Sequence, residues 1–298
     1  MNEKLNQTSR RLPPWIKIRL SGEGSLPCVH AALKQGRLNT VCESAHCPNR
    51  QECFQRGTAT LLLLGNICTR NCKFCAVASG APLPPDPDEP RRAAELVKKL
   101  SLRHAVVTSV TRDDLPDGGA SIFADTVAAI RAATSARTTI EVLTPDFNGS
   151  PAAIATVLDA GPDVFNHNLE TVERLQKDVR PQAGYGKSLE VLKRAASSGK
   201  APVVKSGLMA GMGENDAELF AAMRDLVAAG CRHLTIGQYL APSRLHWPVA
   251  RFVPPETFAA YREKAIAMGF IEVASGPLVR SSYMAETFLR NAVAKRAR

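Results

Sequence analysis

Short apolar segments with strand character alternate with longer helix-like segments from residue 59 onward, and this alternation limits the possible fold more than any other feature of the sequence. The strand-like runs are rich in Val, Leu, Ile and Thr and cover residues 59–67, 104–110, 138–143, 163–167, 202–209 and 233–237. Helical patterns follow them near 90–100, 122–133, after Pro151, 187–198, 215–229 and 255–268. Strands that alternate with helices indicate βαβ crossovers and therefore a parallel sheet.

Six strand-helix units predict an α/β fold, a partial (β/α)6 barrel of the TIM type. A doubly wound sheet is the alternative. The turn after the first strand, Gly65-Asn66-Ile67, has no glycine-rich dinucleotide fingerprint and is followed by cysteines instead. We expect the barrel to cover residues 59–269, with an N-terminal extension over 1–58 and a C-terminal extension over 270–298.

The composition limits the class of protein and its compartment. The 298 residues are 45% hydrophobic and 22% charged, which is typical of a globular protein with a large core. The longest uncharged apolar stretch, residues 57–69, is shorter than the roughly 20 residues that span a bilayer. Residues 1–11 are polar and lack the apolar region of a signal peptide. We therefore expect a cytoplasmic protein without a membrane segment, whose eight cysteines are thiols or metal ligands.

Positive charge is concentrated at the two ends of the chain. The formal net charge is +10; residues 1–75 carry a net +7, residues 76–289 a net −1 and residues 290–298 a net +4. A solvated surface and a docking face for an acidic partner both fit this pattern. Aromatic residues make up only 5% of the chain, so side chains that could stack on bases are scarce and nucleic acid is not the expected partner.

Six of the eight cysteines form two triplets. The first triplet, Cys42-x4-Cys47-x5-Cys53, precedes the barrel, and the second triplet, Cys68-x3-Cys72-x2-Cys75, directly follows the first strand, where barrel enzymes place their active sites. Thiolates select zinc or iron-sulfur clusters, and a structural zinc site needs four protein ligands. Three thiolates favour a cluster that keeps one iron open for a small molecule. His46 could complete a zinc site, but only in the first triplet.

The spacing of the second triplet on a first barrel loop is the signature of radical S-adenosylmethionine enzymes, and the chain closely resembles one family among them, lipoyl synthase. The resemblance covers roughly residues 12–285. The segments that carry it are Val41-Cys-Glu-Ser-Ala-His-Cys-Pro-Asn, Gly65-Asn-Ile-Cys-Thr-Arg-Asn-Cys-Lys-Phe-Cys-Ala-Val, Val107-Thr-Ser-Val-Thr-Arg-Asp-Asp-Leu-Pro-Asp-Gly-Gly-Ala, Ile140-Glu-Val-Leu-Thr-Pro-Asp-Phe, Val164-Phe-Asn-His-Asn-Leu-Glu-Thr, Lys205-Ser-Gly-Leu-Met, Leu234-Thr-Ile-Gly-Gln-Tyr-Leu and Ala274-Ser-Gly-Pro-Leu-Val-Arg-Ser-Ser-Tyr.

The resemblance implies a sulfurtransferase of lipoate biosynthesis. Lipoyl synthases insert two sulfur atoms, at C6 and C8, into an octanoyl chain carried on a lysine of a carrier protein. Removing hydrogen from such unactivated carbons requires a cofactor radical rather than a side-chain base. The resemblance therefore implies two [4Fe-4S] clusters. One, on the second triplet, would bind and reduce S-adenosylmethionine to generate a 5'-deoxyadenosyl radical, and the other, an auxiliary cluster on the first triplet, would be consumed as the sulfur source.

The resemblance also implies partners. These are an octanoylated lipoyl carrier protein or domain and a one-electron donor of the flavodoxin or ferredoxin type. Lipoyl carrier domains are typically acidic in the systems of this family, so docking of the carrier becomes the expected use of the basic residues at the C-terminus. These are Arg290, Lys295, Arg296 and Arg298.

Individual site residues follow from the same resemblance. Ser281, the first serine of Arg280-Ser-Ser-Tyr, is expected to be the fourth ligand of the auxiliary cluster, although its oxygen is a harder donor than thiolate and a poorer match for cluster iron. Gly118 and Gly119 follow the second strand and either admit the methionyl group of S-adenosylmethionine or form a plain turn.

Three further residues are expected near the cofactor. Asn168 and Glu170 follow the fourth strand and resemble positions that contact cofactor or substrate, and a glutamate can accept hydrogen bonds from ribose hydroxyls. Arg180 could bind the methionyl carboxylate, since a guanidinium matches a carboxylate bidentately. An ordinary surface ion pair is the alternative for Arg180.

Other readings and departures stay open at this stage. A radical sulfur inserter of biotin synthase or methylthiotransferase type would share the second triplet, although a biotin synthase lacks the first triplet and the Arg-Ser-Ser-Tyr end. A zinc-dependent nucleic-acid-binding module would explain the thiols and the charge, but not the barrel.

The sequence departs from the family pattern at two positions. Thr111 stands where the family usually has an acidic residue, and Met284 where it usually has histidine. Cys28 and Cys231 are expected to be small buried residues.

Overall fold

The computed structural model describes residues 12–17, 26–44, 47, 49–55, 58–134 and 138–282. The N-terminal elements are α1 (Leu26–Gly36), β1 (Asn39–Thr40), α2 (Val41–Ser44), α3 (Arg50–Gln55), β2 (Thr58–Leu63), β3 (Ile67–Cys68) and β4 (Ala78–Ser79). The middle of the chain forms α4 (Glu89–Lys99), β5 (His104–Ser109), α5 (Ala120–Ala133), β6 (Thr139–Leu143), a 3-10 turn (Phe147–Gly149), α6 (Pro151–Asp159) and β7 (Val164–Asn166). The remaining elements are α7 (Glu173–Val179), α8 (Tyr185–Ser198), β8 (Val203–Ala210), α9 (Asp216–Ala228), β9 (His233–Gln238), α10 (Pro255–Ala267) and β10 (Glu272–Gly276).

One eight-stranded sheet organises the chain, in the order β1-β2-β5-β6-β7-β8-β9-β10. From β2 to β10 every neighbouring pair is parallel, and β1 runs antiparallel to β2. All six predicted strands lie in this sheet in chain order, with helices between them, which confirms the α/β fold and the partial barrel. Its edge strands β1 and β10 are not paired with each other in the part of the chain that the structure describes, so the barrel is open.

The sheet reaches into both predicted extensions. β10 pairs with β9 through five residues, and β1 adds two residues at the other edge. Neither strand has a strong sequence signal, because β1 is only two residues long and Glu272-Val-Ala-Ser-Gly contains a single β-branched residue. The division of the chain at residues 58 and 269 stays a prediction.

The first barrel strand ends earlier than its apolar run. We expected a strand to residue 67, but β2 stops at Leu63 because Leu64 and Gly65 adopt left-handed φ values of 65° and 86°. The amide of Leu64 donates to Oε2 of Glu89 at 2.8 Å, which fixes this turn. The chain then forms a separate two-stranded sheet of β3 and β4 around the second triplet.

The core lies on both faces of the sheet. All six residues of β9 are buried, as expected for a parallel strand that is covered on both sides. The helices are started by local signals: Asn215 and Glu218 form a reciprocal capping box at α9, and the Ser150 hydroxyl accepts from the Ala153 amide at α6. Among the helices that the structure describes, none is both long and apolar enough to cross a bilayer.

Candidate active site at the carboxyl ends of the strands

The second triplet occupies the loop between β2 and β4, at the carboxyl end of the barrel. Cys68 Sγ accepts two backbone hydrogen bonds, from the Arg70 amide at 3.4 Å and from the Thr111 amide at 3.3 Å. Thr111 follows β5, so the first cysteine is held by the neighbouring strand exit as well as by its own loop. Since the amide is the donor, the threonine that departs from the family pattern makes this contact independently of its side chain.

The same loop is fastened from two other directions. The Lys73 amide donates to the carbonyl of Val179 at 2.8 Å, and the Lys73 carbonyl accepts from the Trp247 amide at 2.8 Å. His246 Nε2 lies 3.1 Å from the carbonyl oxygen of Cys75. The end of α7 and the loop that follows β9 therefore hold the cysteine loop in place, although they are more than 100 residues away in sequence.

A buried arginine inside the triplet anchors the loop to the sheet. Arg70 donates from Nε and Nη2 to both carboxylate oxygens of Asp113 at 2.7 Å. It also donates from Nη2 and Nη1 to Asp146, at 2.7 and 2.9 Å. Asp113 and Asp146 follow β5 and β6, so a single guanidinium joins the cysteine loop to two strand exits through charge-assisted hydrogen bonds. Arg70 was not among the predicted site residues. Its position as a charged residue between Cys68 and Cys72 was a signal that could have identified it.

Burial favours the protonated thiol at two cysteines of this loop, Cys72 and Cys75. Burial raises the pKa of Cys75 to about 11 and also raises that of Cys72, although Arg180 opposes the shift at Cys72. The negative charge that Cys68 would carry contributes to both shifts, which shows that the three sulfurs lie near one another. A cation that binds here must displace protons, as is usual for thiolate sites. In the described part of the chain, no three Cys, His, Asp or Glu side chains are placed to hold a single metal ion.

The first triplet lies on α2 and α3, against the edge of the sheet. Cys42 is buried in α2, Cys53 is in α3, and Cys47 lies between the two helices. The Cys47 amide donates to the Cys42 carbonyl at 3.1 Å and the Cys53 amide to the Asn49 carbonyl at 3.0 Å, which folds the segment into compact turns. Burial, with the nearby Cys47, raises the pKa of Cys42 to about 11. His46, the possible zinc ligand, lies outside the described residues.

The C-terminal segment after β10 returns to the first triplet. Asn49 Nδ2 donates to the carbonyl of Leu278 at 2.6 Å. The Arg280 side chain is close enough to Cys47 for the two charges to interact, although burial lowers the pKa of this arginine. The end of the barrel and the N-terminal cysteines therefore meet, although some 230 residues separate them. Met284 lies outside the described residues, so its departure from the family pattern stays untested.

Ser281 belongs to the same C-terminal segment and contacts two residues of the barrel. Its hydroxyl accepts from Asn168 Nδ2 at 2.7 Å, and its carbonyl accepts from Lys205 Nζ at 2.5 Å. The structure thus brings the predicted serine ligand to Asn168, a residue predicted at the cofactor site. Asn168 also donates to Oε1 of Glu170 at 3.0 Å, so one amide group links the serine and the glutamate.

Glu170 and Arg180 face the second triplet. Burial raises the pKa of Glu170, and its charge acts on both Cys72 and Cys75. Its φ of 70° is left-handed, a conformation that costs a residue other than glycine about 1 kcal/mol or more and is common at functional sites. Arg180 is 8% exposed, with Nη1 on the carbonyl of Leu169 at 3.2 Å and on that of Asn168 at 3.4 Å. It is therefore not an ordinary surface residue.

Gly118 and Gly119 form the turn that starts α5. Their φ values are 63° and 89°, and a side chain at Gly119 would overlap Leu64. Asp117 accepts from the amides of Gly119 and Ser121 at 2.9 and 2.8 Å, so the turn also caps the helix. The left-handed φ values favour glycine at both positions, and an added Cβ atom at Gly118 would lie 3.2 Å from Phe147.

Several buried polar atoms in this region have no hydrogen-bond partner among the residues that the structure describes. Their residues lie at the end of β5 and after β6, β7 and α7, at the same end of the barrel as the second triplet. The atoms are Ser109 Oγ, Thr144 Oγ1, His167 Nε2, Asn168 Oδ1 and Arg180 Nε. Because buried polar groups are nearly always hydrogen-bonded, this set fits a bound ligand with several polar groups, such as the amino acid and ribose parts of S-adenosylmethionine. Ser109, Thr144 and His167 were missed, although polar residues directly after apolar strands were a usable signal.

Comparison with known families agrees with the fold. Residues 62–226 match the radical SAM superfamily. Methylornithine synthase (PylB) has a solved structure that is similar to this chain with a TM-score of 0.55 and 12% identity over 92% of this chain and 90% of that one. SuiB of Streptococcus suis, solved with S-adenosylmethionine, is similar with a TM-score of 0.53 and 9% identity over 73% of this chain and 49% of that one. At such identities the likeness concerns the fold.

Relatives of much higher identity identify the family. A lipoyl synthase of Caldanaerobacter subterraneus subsp. tengcongensis is 53% identical over 279 residues, which are 94% of this chain and 97% of that protein. A lipoyl synthase of Citrifermentans bemidjiense is 52% identical over 285 residues, 94% and 96% of the two chains. Matches of this extent do not fit the zinc-module reading, and they favour lipoyl synthase over the other radical sulfur inserters. The chain belongs to the lipoyl synthase family of the radical SAM superfamily.

Proposed function

We propose that this protein is a lipoyl synthase, which inserts two sulfur atoms at C6 and C8 of a carrier-bound octanoyl-lysine. The observation that carries the proposal is the meeting of two cysteine triplets and one serine around a single barrel. The first triplet contacts the C-terminal segment through Asn49 and Leu278, and Ser281 of that segment is bonded to Asn168, next to Glu170 at the second triplet. A sulfur donor and a radical generator need this proximity to act on one substrate.

The donor sets support two [4Fe-4S] clusters, one on each triplet. Three thiolates of the second triplet would hold three of the four irons and would leave the fourth iron to the amino acid part of S-adenosylmethionine. We assign Cys42, Cys47 and Cys53 to the auxiliary cluster, with Ser281 as its fourth ligand. The hydrogen bond from Asn168 supports this assignment, because an amide donor would stabilise the negative charge of a serine oxygen on iron.

The residues that face the second triplet would bind S-adenosylmethionine. Arg180 has a buried Nε that makes no hydrogen bond within the described residues, and we assign it to the methionyl carboxylate. Glu170 and Asn168 would accept from the amino group or the ribose hydroxyls. Gly118 and Gly119 precede α5, and we propose that the absence of side chains at this turn admits the methionyl group of S-adenosylmethionine.

When bound, the clusters and S-adenosylmethionine supply the one-electron chemistry, the hydrogen abstraction and the sulfur atoms. The side chains of the protein would bind and orient the cofactors and the substrate. The hydrogen bonds of Arg70 to Asp113 and Asp146 would hold the cysteine loop in place, and the buried side chains of Arg180 and His167 would help to exclude water from the site. An octanoylated carrier protein or domain and a flavodoxin or ferredoxin would be the partners. We place the enzyme in the cytoplasm, where thiols stay reduced.

Turnover of a short octanoyl-lysyl peptide tests the proposal. Anaerobically reconstituted protein, given a reductant and S-adenosylmethionine, should yield a peptide with two added sulfur atoms, read by mass spectrometry, together with iron and sulfide for two clusters. Ser281→Ala should still form 5'-deoxyadenosine while it loses sulfur insertion. Zinc in place of iron would refute the proposal, and an unchanged lipoyl yield from Ser281→Ala would remove the serine from it.

A further inference from the structure

Two charged side chains lie inside the barrel, where apolar residues would be expected. Lys205 on β8 and Glu141 on β6 are each 1% exposed, and Lys205 Nζ lies 3.0 and 3.2 Å from the two carboxylate oxygens. The same ammonium group donates to the backbone carbonyl of Ser281 at 2.5 Å. A buried charge is tolerated only where its partners are in place. The backbone of the C-terminal segment at Ser281 is therefore one of the partners of the buried Lys205 ammonium group.

Glu141 is held in a fixed position by the neighbouring strands. Asn166 Nδ2 donates to Oε1 at 2.8 Å, and His104 Nε2 lies 3.3 Å from Oε2. Burial alone would raise the pKa of Glu141, but Lys205 and these hydrogen bonds lower it to about 2. The carboxylate is therefore ionised at neutral pH and can balance the charge of Lys205. This leaves the ammonium as a rigid, charged donor toward the Ser281 carbonyl.

The other side of Ser281 is fitted to the strand surface. Gly207 lies two residues after Lys205 on β8, so both positions face the same side of the sheet. A Cβ atom added to Gly207 would lie 2.7 Å from Asn168 Oδ1, 2.9 Å from Thr235 Oγ1 and 3.0 Å from the Ser281 hydroxyl. Glycine at this position leaves the space that the serine and its amide partner fill.

A second glycine continues the same surface. Gly237 on β9 lies beneath the segment, and an added Cβ atom there would overlap the carbonyl of Val279. The surface of β8 and β9 thus leaves space for residues 277–282, which contain two turns and carry Ser281. Chain ends beyond the last strand usually fray unless specific contacts hold them. Here a buried ion pair and two glycines provide such contacts.

We propose that Lys205 is a positioning residue for Ser281, which holds the serine carbonyl so that the hydroxyl stays on Asn168 at the mouth of the barrel. The role of Lys205 does not depend on the proposed function. Only the further role of the Ser281 hydroxyl, as a ligand of the auxiliary cluster, rests on that function. Lys205 contacts neither cluster nor substrate in this assignment and acts through the backbone of Ser281.

Proteolysis of the full chain with both clusters tests this role. Trypsin cleaves after Arg280 only when the segment leaves the barrel, so the rate at the Arg280–Ser281 bond, measured by mass spectrometry, reports its release. The double variant Lys205→Met/Glu141→Gln removes the donor without leaving a buried unpaired charge. We expect cleavage at this bond to accelerate at least tenfold. Iron should also be lost to a chelator faster, from one cluster only.

Val203→Ala is the matched control, because Val203 is also a buried β8 residue but pairs with Val164 at the start of the strand. Cleavage of the double variant no faster than that of Val203→Ala would overturn the role of Lys205. Faster cleavage with unchanged iron retention would support the hold of Lys205 on the segment, while it would separately refute Ser281 as a ligand in the proposed function.

Gly207→Ala provides an independent variant that keeps the ion pair. Its methyl group should push Ser281 away and likewise accelerate cleavage after Arg280. Gly186→Ala is its control, since an added Cβ there meets nothing within 4 Å. Equal cleavage rates for the two alanine variants would contradict the fit between Gly207 and the serine, and with it the proposed receptor surface.

Discussion

Arg70 and Asp146 form two hydrogen bonds, of 2.7 and 2.9 Å, although one residue lies between cysteines of the second triplet and the other follows β6. The Arg70 side chain is 4% exposed and that of Asp146 is 0% exposed. Asp113 completes the arrangement on the other side of the guanidinium. The position of the loop that carries the second triplet therefore depends on one buried cation, Arg70.

Arg70→Met should destabilise the protein, because it leaves Asp146 buried without its partner. Removal of one member of a buried ion pair typically costs about 3–5 kcal/mol of unfolding free energy. Urea denaturation of the anaerobic protein measures this loss, and iron analysis should show that the second triplet no longer retains its cluster. Arg91→Met is the control, since Arg91 pairs with Glu95 on the exposed face of α4. If the two variants have equal free energies of unfolding, the ion pairs of Arg70 do not stabilise the protein as predicted.

His246→Ala should loosen the second triplet without unfolding the barrel. The imidazole bridges Ser243 Oγ, at 2.8 Å from Nδ1, and the Cys75 carbonyl, at 3.1 Å from Nε2. Loss of one hydrogen bond of this kind costs about 1 kcal/mol. We expect faster iron release to a chelator with little change in thermal unfolding. Leu245→Ala changes the neighbouring side chain, which is 95% exposed, and should leave iron release at the wild-type rate.

The pH dependence of stability should carry a contribution from His167. Burial and the charge of Arg180 lower the pKa of His167 from 6.5 to about 4. The unfolded chain therefore binds a proton at a higher pH than the folded chain does. The stability that the neutral imidazole provides is complete above about pH 6.5 and is lost as the pH falls toward about 4. Urea unfolding across this range should show a shallower fall for His167→Gln than for wild type.

Other groups also titrate in this range, and the raised pKa of Glu170 acts in the opposite direction. The difference between wild type and His167→Gln removes their shared contribution. Parallel stability curves for the two proteins between about pH 6.5 and about pH 4 would show that His167 is not held neutral by the fold.

Glycine should be better tolerated than alanine at position 170. The left-handed φ of 70° costs an L-residue about 1 kcal/mol relative to glycine, so Glu170→Gly should be more stable than Glu170→Ala by about that amount. Neither variant should bind S-adenosylmethionine with wild-type affinity. At Glu263, an exposed position inside α10, the order should be reversed, because glycine disfavours a helix. Denaturant midpoints of the four variants decide this.

The basic C-terminus should contribute to carrier docking. Arg290, Lys295, Arg296 and Arg298 lie outside the described residues, and their expected use rests on charge alone. Reversing the four charges should raise the apparent KM for an octanoylated carrier protein, with a smaller difference at high salt, but not the KM for a short peptide. Equal effects on both substrates would argue against docking.

The six predicted strands and the helices paired with them could be found because their signals are local, whereas the elements α1–α3, β3, β4 and α7 were not predicted. Apolar runs rich in β-branched residues predicted the six strands, and the helices predicted near 90–100, after Pro151 and over 215–229 correspond to α4, α6 and α9. β10 and β1 were not predicted, because a short strand with only one β-branched residue is specified by pairing with β9 or β2 and not by its own composition. The end of β2 was also misplaced, since Leu64 adopts a left-handed conformation through a distant bond to Glu89.

The sequence by itself determined the barrel, the two cysteine triplets and, through resemblance, the family and the cofactors. It also singled out Ser281. Only the tertiary structure decided what holds these groups, because Arg70 to Asp146, Asn168 to Ser281 and Lys205 to Glu141 are contacts between residues 64–113 positions apart. In the sequence, Glu141 and Lys205 are single charges within apolar runs. Such charges become a site only when parallel strands bring them within hydrogen-bond distance, where burial makes each partner indispensable to the other.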